Sequence, residues 1–213
     1  MLSKEELASY IDHTNLSPSA TSEDIKTLCT QAVKHNFKAV CINSCYAKLA
    51  SNLLKDSPVS TCTVVGFPLG AMATEAKAYE AHIAVENGSD EIDMVQNIGA
   101  LKEKLYDYVR KDIEAVVNQG VTTKVILETC LLSKEEIVTA CSVAEKAGAH
   151  FVKTSTGFSA GGATVPDVAL MKKTVPHLKV KAAGGIKTFE DALTMIKAGA
   201  DRIGASRSVE IIS

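Results

Sequence analysis

Three stretches of the chain share one pattern: VENGSDEIDMV (85–95), EKAGAHFVKTS (145–155) and IKAGADRIGAS (196–206). Each ends a helix, turns on a glycine followed by a small residue, and runs into a short strand. Gly88, Gly148 and Gly199 suit the position just past a helix C-terminus, where a left-handed backbone is needed. Helix, glycine, strand is the joint of a βα repeat. Counting five residues on from each glycine lands on Asp93, Lys153 and Gly204. The repeat therefore predicts that these three sit at equivalent heights, near the C-terminal ends of their strands.

Outward from these joints the alternation continues along the whole chain. Strands are expected at 10–14, 38–42, 60–65, 89–95, 122–128, 150–154, 178–182 and 201–205, with helices near 21–35, 44–55, 74–87, 104–119, 133–147, 165–174 and 188–198. Ser3 with Glu6, Ser133 with Glu136 and Thr188 with Asp191 have the spacing of capping boxes. No low-complexity linker or break in composition interrupts residues 1–213, so one domain is expected. Strands alternating with helices imply a parallel sheet, either closed or open. An open dinucleotide-binding sheet calls for G-x-G-x-x-G after its first strand. Here Asp12-His13-Thr14-Asn15-Leu16 carries no glycine. Eight units of about 27 residues favour an α/β (β/α)8 TIM barrel. It has a short extra N-terminal helix and a very short last one.

Composition excludes other classes. Apolar residues make up 46% and charged residues 23% of 213 positions, which suits a folded globular chain. The formal charge of −2 argues against a nucleic-acid partner. No apolar run approaches the roughly 18 residues of a membrane helix, and no secretory signal opens the chain. A cytoplasmic protein is expected, with its six cysteines reduced and mostly buried. The five histidines are scattered without ligand spacing, so no metal and no cofactor is expected.

Side-chain parity picks out candidate chemistry. Ile92 and Met94 suit the helix-facing side, which turns Glu91 and Asp93 inward. Val152 outward puts Lys153 inward, and Val180 outward puts Lys181 inward. Lys153 and Lys181 then end adjacent strands about 4.8 Å apart. Two such ammonium groups repel, and burial adds to the effect, so one lysine is expected to fall toward neutrality. A neutral lysine is a Schiff-base nucleophile, the second lysine can relay a proton, and Asp93 can take and return one. The bland alternative makes each of them an ion-pair partner.

Glycines follow the last three strands at Ser155-Thr156-Gly157, Ala183-Gly184-Gly185 and Gly204-Ala205-Ser206. Barrels often hold phosphate with the loops after strands seven and eight and a short extra helix, expected here to start near Ser206. Plain tight turns are the alternative. Gly161-Gly162 reads as a flexible lid. Asp12 orients a lysine or a substrate hydroxyl, or caps its turn. Glu128 is placed to pair with a lysine, and Arg207 to meet phosphate or solvent. Cys41, five residues on from Asn36, reads as a space-filler, and His13 as a hydrogen-bonded structural residue.

Seven motifs together carry a resemblance: VCIN (40–43), TVVGFPLGA (63–71), EIDMVQNIGAL (91–101), KVILETCLL (124–132), FVKTSTGF (151–158), KAAGGIKT (181–188) and RIGAS (202–206). Close to the whole chain resembles the deoxyribose-phosphate aldolases, class I aldolases of the cytoplasm. The resemblance implies reversible cleavage of 2-deoxy-D-ribose 5-phosphate to D-glyceraldehyde 3-phosphate and acetaldehyde, without metal, in deoxynucleoside breakdown. It makes Lys153 the Schiff-base lysine, Lys181 the lysine that perturbs it and relays protons, and Asp93 the proton donor and acceptor. It implies a substrate and phosphate set of Asp12, Thr156, Gly157, Gly184, Gly185, Gly204 and Ser206, and a homodimer or larger homo-oligomer. Two departures are expected to matter. The sequence ends at Ser213, sooner than members commonly do, so either the help of a tail at the site is missing or the sequence stops short of that tail. Phe158 stands where some members carry a cation after the STG turn, which is expected to weaken phosphate binding.

Overall fold

A computed structural model describes residues 2–213. In chain order the elements are α1 (Lys4–Ala8), β1 (Ile11–Asn15), α2 (Ser22–His35), β2 (Ala39–Ile42), α3 (Ala47–Leu54), β3 (Ser60–Val65) and α4 (Thr74–Glu86). There follow β4 (Glu91–Val95), α5 (Ile98–Lys102), α6 (Tyr106–Val117), β5 (Thr122–Ile126), α7 (Lys134–Lys146) and β6 (Phe151–Lys153). The last are α8 (Val165–Thr174), β7 (Lys179–Ala183), α9 (Phe189–Lys197), β8 (Arg202–Ala205) and α10 (Ser208–Ile212). Each strand pairs in parallel with the next, and β8 pairs with β1, closing the barrel.

The expected capping boxes form at α1, α7 and α9, and a fourth, Thr21 with Asp24, starts α2. One helix, α5, falls where none was expected. It is five residues long and contains Gly99, too short for a helical period to register; Asn97 caps it by accepting from Ala100 N.

Alternate strand residues face opposite ways. Val40, Ile42, Val65, Ile92, Met94, Val125, Val152, Val180 and Ile203 face the helices and are buried there. Helices meet them with apolar rows such as Val109, Ile113 and Val116 of α6.

The inward residues read differently. The pairing registers, with the stagger a barrel of this shear requires, sort them into tiers of four from alternate strands. At the base are Ala39, Glu91, Phe151 and Arg202. Above them come Asp12, Cys62, Lys124 and Lys181, then Cys41, Asp93, Lys153 and Gly204. Barrel tiers are ordinarily filled by branched apolar side chains. Here seven ionisable Asp, Glu, Lys and Arg side chains fill them, and each residue is at most 7% exposed. At the base, Phe151 lies under Lys124, Lys179 and Arg202, whose charges stand 5.6–6.0 Å from its ring centre.

Candidate active site

The C-terminal mouth of the barrel opens into a cavity of about 750 Å³. Lys153, at the end of β6, lines it. Its walls include Thr156 and Phe158 after β6, Gly184 and Gly185 after β7, and Ser206 after β8.

Below Lys153 the interior charges form a closed ring. Asp93 accepts from Lys181 Nζ at 2.8 Å, and Lys181 also donates to Asp12. Asp12 receives Arg202 Nε at 2.7 Å, and Arg202 Nη2 reaches Glu91 at 3.0 Å. Glu91 meets Lys124 at 2.6 Å, and Lys124 returns to Asp93 at 2.8 Å. Three carboxylates thus alternate with three cations. Lys153 hangs from this ring by a single contact, 2.7 Å from Asp93 Oδ2. It is the seventh charge, and it brings the set to a formal excess of one positive charge.

The electrostatics follow. Burial opposes the charge on Asp93, yet Lys124, Lys153 and Lys181 outweigh it and hold the carboxyl well below the usual range. Burial likewise opposes the charge on Asp12, and Lys181, Arg202 and Lys124 bring it down to about 2. For Lys181 burial pushes down, but Asp12 and Asp93 push harder, so it lies above the usual lysine value. Lys124 is raised in the same way, chiefly by Asp93 against burial. The simple picture of two mutually repelling lysines is therefore corrected. Lys153 and Lys181 are neighbours on adjacent strands, but the Asp93 carboxylate bridges them.

Asp93, Lys153 and Lys181 are brought together as the sequence predicts. Thr156, Gly157, Gly184, Gly185, Gly204 and Ser206 all line the cavity. Asp12 does not; it is fully buried one tier lower and holds Lys181 and Arg202. Gly204 has a second role, since a Cβ there would come within 3.1 Å of Lys181 Cε. Its absence gives Lys181 room to rise toward Asp93. Gly184 has φ +87° and lies against the backbone of Gly162, a close approach that only glycine allows.

Other expectations change. Gly161-Gly162 is no loose lid: Ala163 N donates to the carbonyls of Ala183 and Gly184, which ties the segment to the β7 loop. Glu128 pairs with no lysine; its carboxylate accepts from Thr156 N and Oγ1. His13 Nε2 hydrogen-bonds Gln31 at 2.8 Å, consistent with a structural role. Arg207 is exposed and lies 3.9 Å from Glu210. The short last helix starts at Ser208.

Lys124 and Arg202 were missed. Parity could have found both, because Val125 and Ile203 face outward. Lys187, a cation on the cavity wall, was also missed. Cys41 and Cys62 gather with Asp93, their donor atoms within 4.8 Å of one another. Cys62 donates to Asp93 at 3.1 Å, and burial first, then the hydrogen bond with Cys41 and the charge of Asp93, push its thiol well above its ordinary value. Three ammonium groups already occupy Asp93.

A (β/α)8 barrel with a lysine amine in its C-terminal cavity is the build of Schiff-base aldolases. The chain belongs to the DeoC/LacD family of aldolases, which it matches over residues 7–208. It is 59% identical over 210 residues to the deoxyribose-phosphate aldolase of Clostridium novyi (strain NT), an alignment covering 97% of this chain and 95% of that one. A solved structure from Coccidioides immitis has a TM-score of 0.96 at 42% identity, covering 98% of this chain and 85% of that one. The tetrameric deoxyribose phosphate aldolase of Aeropyrum pernix has a TM-score of 0.92 at 34% identity, covering 100% and 92%. No helix among the described residues is long and apolar enough to cross a membrane.

Proposed function

We propose that this protein, as one aldolase domain, reversibly cleaves 2-deoxy-D-ribose 5-phosphate to D-glyceraldehyde 3-phosphate and acetaldehyde in deoxyribonucleoside breakdown. The observation that carries the reading is the neutral ring of six charges with Lys153 left over. Losing one proton from the whole set removes its excess charge, and Lys153 is its only member that lines the cavity.

In this reading the neutral amine of Lys153 attacks the C1 aldehyde of the open sugar. The carbinolamine loses water to give an iminium. Removal of the C3 hydroxyl proton breaks the C2–C3 bond, releases glyceraldehyde 3-phosphate and leaves an enamine. Protonation of the enamine and hydrolysis return acetaldehyde and Lys153. Asp93, held ionised, suits the acceptor steps. Lys181 donates at 2.8 Å to the same Asp93 oxygen, Oδ2, that Lys153 touches, so it supplies a transferable proton on that side. Lys181 and Asp93 therefore act as one relay.

Phosphate is assigned to the wall formed by Gly184, Gly185, Gly204 and Ser206, with Thr156 and Gly157 toward the sugar. Lys187 and Arg207 supply positive charge on that side. Phe158 offers none; it is half-exposed and packs edge-on to Phe67, with ring centres 5.1 Å apart. We also propose a homo-oligomer in the cytoplasm, where six unpaired cysteines are at home.

The test is release of acetaldehyde from 2-deoxy-D-ribose 5-phosphate, read as NADH oxidation by alcohol dehydrogenase. The expected result is turnover that EDTA does not change, with a higher KM for 2-deoxy-D-ribose. No acetaldehyde from folded protein would refute the reading.

A further inference from the structure

Glu128 differs from every acid of the ring. It is 2% exposed, and no Lys, Arg or His lies within ion-pair distance of it among the described residues. Its backbone sits at φ +58°, a left-handed conformation that residues other than glycine seldom adopt. Such an outlier beside a cavity asks for a reason in function.

The carboxylate is spent mainly on one residue, with a long contact of 3.9 Å from Cys130 Sγ beside it. Thr156 N donates to Oε1 at 3.2 Å, and the Thr156 hydroxyl donates to Oε2. That second bond takes the only proton the hydroxyl has. Phe158 N then donates to Thr156 Oγ1 at 3.0 Å, which occupies one of its two lone pairs. What remains on Thr156 Oγ1 is a single lone pair. Thr156 lines the same cavity as Lys153. A threonine hydroxyl normally rotates to donate or to accept. Here it can only accept. A ligand carbonyl or phosphate oxygen gains nothing from such a group, whereas a ligand hydroxyl does.

We infer that Glu128 is a specificity-determining positioning residue: by holding the Thr156 proton it fixes Thr156 as an acceptor and selects hydroxylated aldehydes over their deoxy counterparts. This inference rests on the aldolase reading above. Glu128 does not touch the reacting atoms. It acts through the donor and acceptor character of Thr156.

The test compares two unphosphorylated acceptors of equal carbon count, D-glyceraldehyde and propanal, in aldol addition of acetaldehyde. The variants are Glu128→Ala, Glu128→Gln and Thr156→Val. In each, borohydride trapping of acetaldehyde on Lys153 reports whether the site is intact. One hydrogen bond to a hydroxyl corresponds to a change of about tenfold. The expected result is a roughly tenfold fall in the ratio of kcat/KM for D-glyceraldehyde to that for propanal in Thr156→Val, and a smaller fall in Glu128→Ala, where the freed hydroxyl is no longer fixed but still accepts, both carried mainly by KM. Glu128→Gln should fall between Glu128→Ala and the unaltered protein, because its amide can either accept from Thr156 or donate to it. The effect of Thr156→Val should exceed that of Glu128→Ala, and it keeps the question answerable if Glu128→Ala does not fold. Equal losses on both acceptors would make Glu128 merely structural and overturn the inference. An unchanged ratio in Thr156→Val would overturn it as well. Absence of the trapped adduct in the unaltered protein would instead defeat the aldolase reading, and this inference with it.

Discussion

The two faces of the barrel strands are built from opposite chemistry. On the outer face, Ile92, Met94, Val125, Val152 and Ile203 pack against the helices as an ordinary apolar shell. On the inner face of the same strands, Glu91, Asp93, Lys124, Lys153 and Arg202 are buried too. The shell is held by area removed from water, which is forgiving of shape and indifferent to pH. The interior is held by pairing, and it tolerates burial because each ring charge touches two opposite ones. The shell tells us what stabilises the fold, and the odd charge inside tells us where it acts. The one buried ion pair in the shell among the described residues, Lys77 with Asp112 at 2.6 Å, is a closed pair with no leftover group.

The largest effect that would sharpen this contrast is Lys153→Met. Turnover should fall on the order of 10⁴-fold, a loss comparable to the larger single effects in enzymes. The melting temperature should stay close to the unaltered value, because the remaining ring is neutral. A large drop in stability would show that Lys153 is a structural cation. Next comes Arg202→Met, which leaves Asp12 and Glu91 short of a partner. Denaturant titration should show a loss of about 3–5 kcal/mol, as for removal of one member of a buried ionic set.

Acid gives a smaller effect. The Asp12 carboxyl lies at about 2 in the fold against an ordinary 3.8. A depressed carboxylate contributes stability that is present above its unfolded value and lost as pH falls through its folded one. Stability should therefore decline between about pH 4 and pH 2, with Asp12 contributing on the order of 2 kcal/mol. Asp93, also held well below the usual carboxylate range, contributes in the same direction. Thermal melts across that window would check it, and flat stability would contradict the paired interior. The smallest effect belongs to the shell: Ile92→Val should cost about 1 kcal/mol and leave kcat unchanged.

Much of this contrast was legible in the sequence. The count of five from Gly88, Gly148 and Gly199, and from Asn36 to Cys41, picks out Asp93, Lys153, Gly204 and Cys41. Those four residues make up one tier of the barrel. The repeat reports height because each βα joint sets where its strand begins. Parity placed Lys181 inward, but which tier it joins depends on the stagger between strands, a property of closure that no single segment carries. Lys124 was missed in TTKVILE because its alternation was not followed there. The true partners of Asp12 and Glu128 lie 190 and 28 residues away in the chain, and only the folded registers bring them together.

The central claim is that the ring of six charges leaves Lys153 as the reactive amine. Borohydride reduction in the presence of acetaldehyde, followed by peptide mass spectrometry, tests it most directly. The account predicts one reduced adduct, on the peptide carrying Lys153, and none on Lys181 or Lys124. An adduct on either of those lysines, or none at all from folded protein, would contradict it.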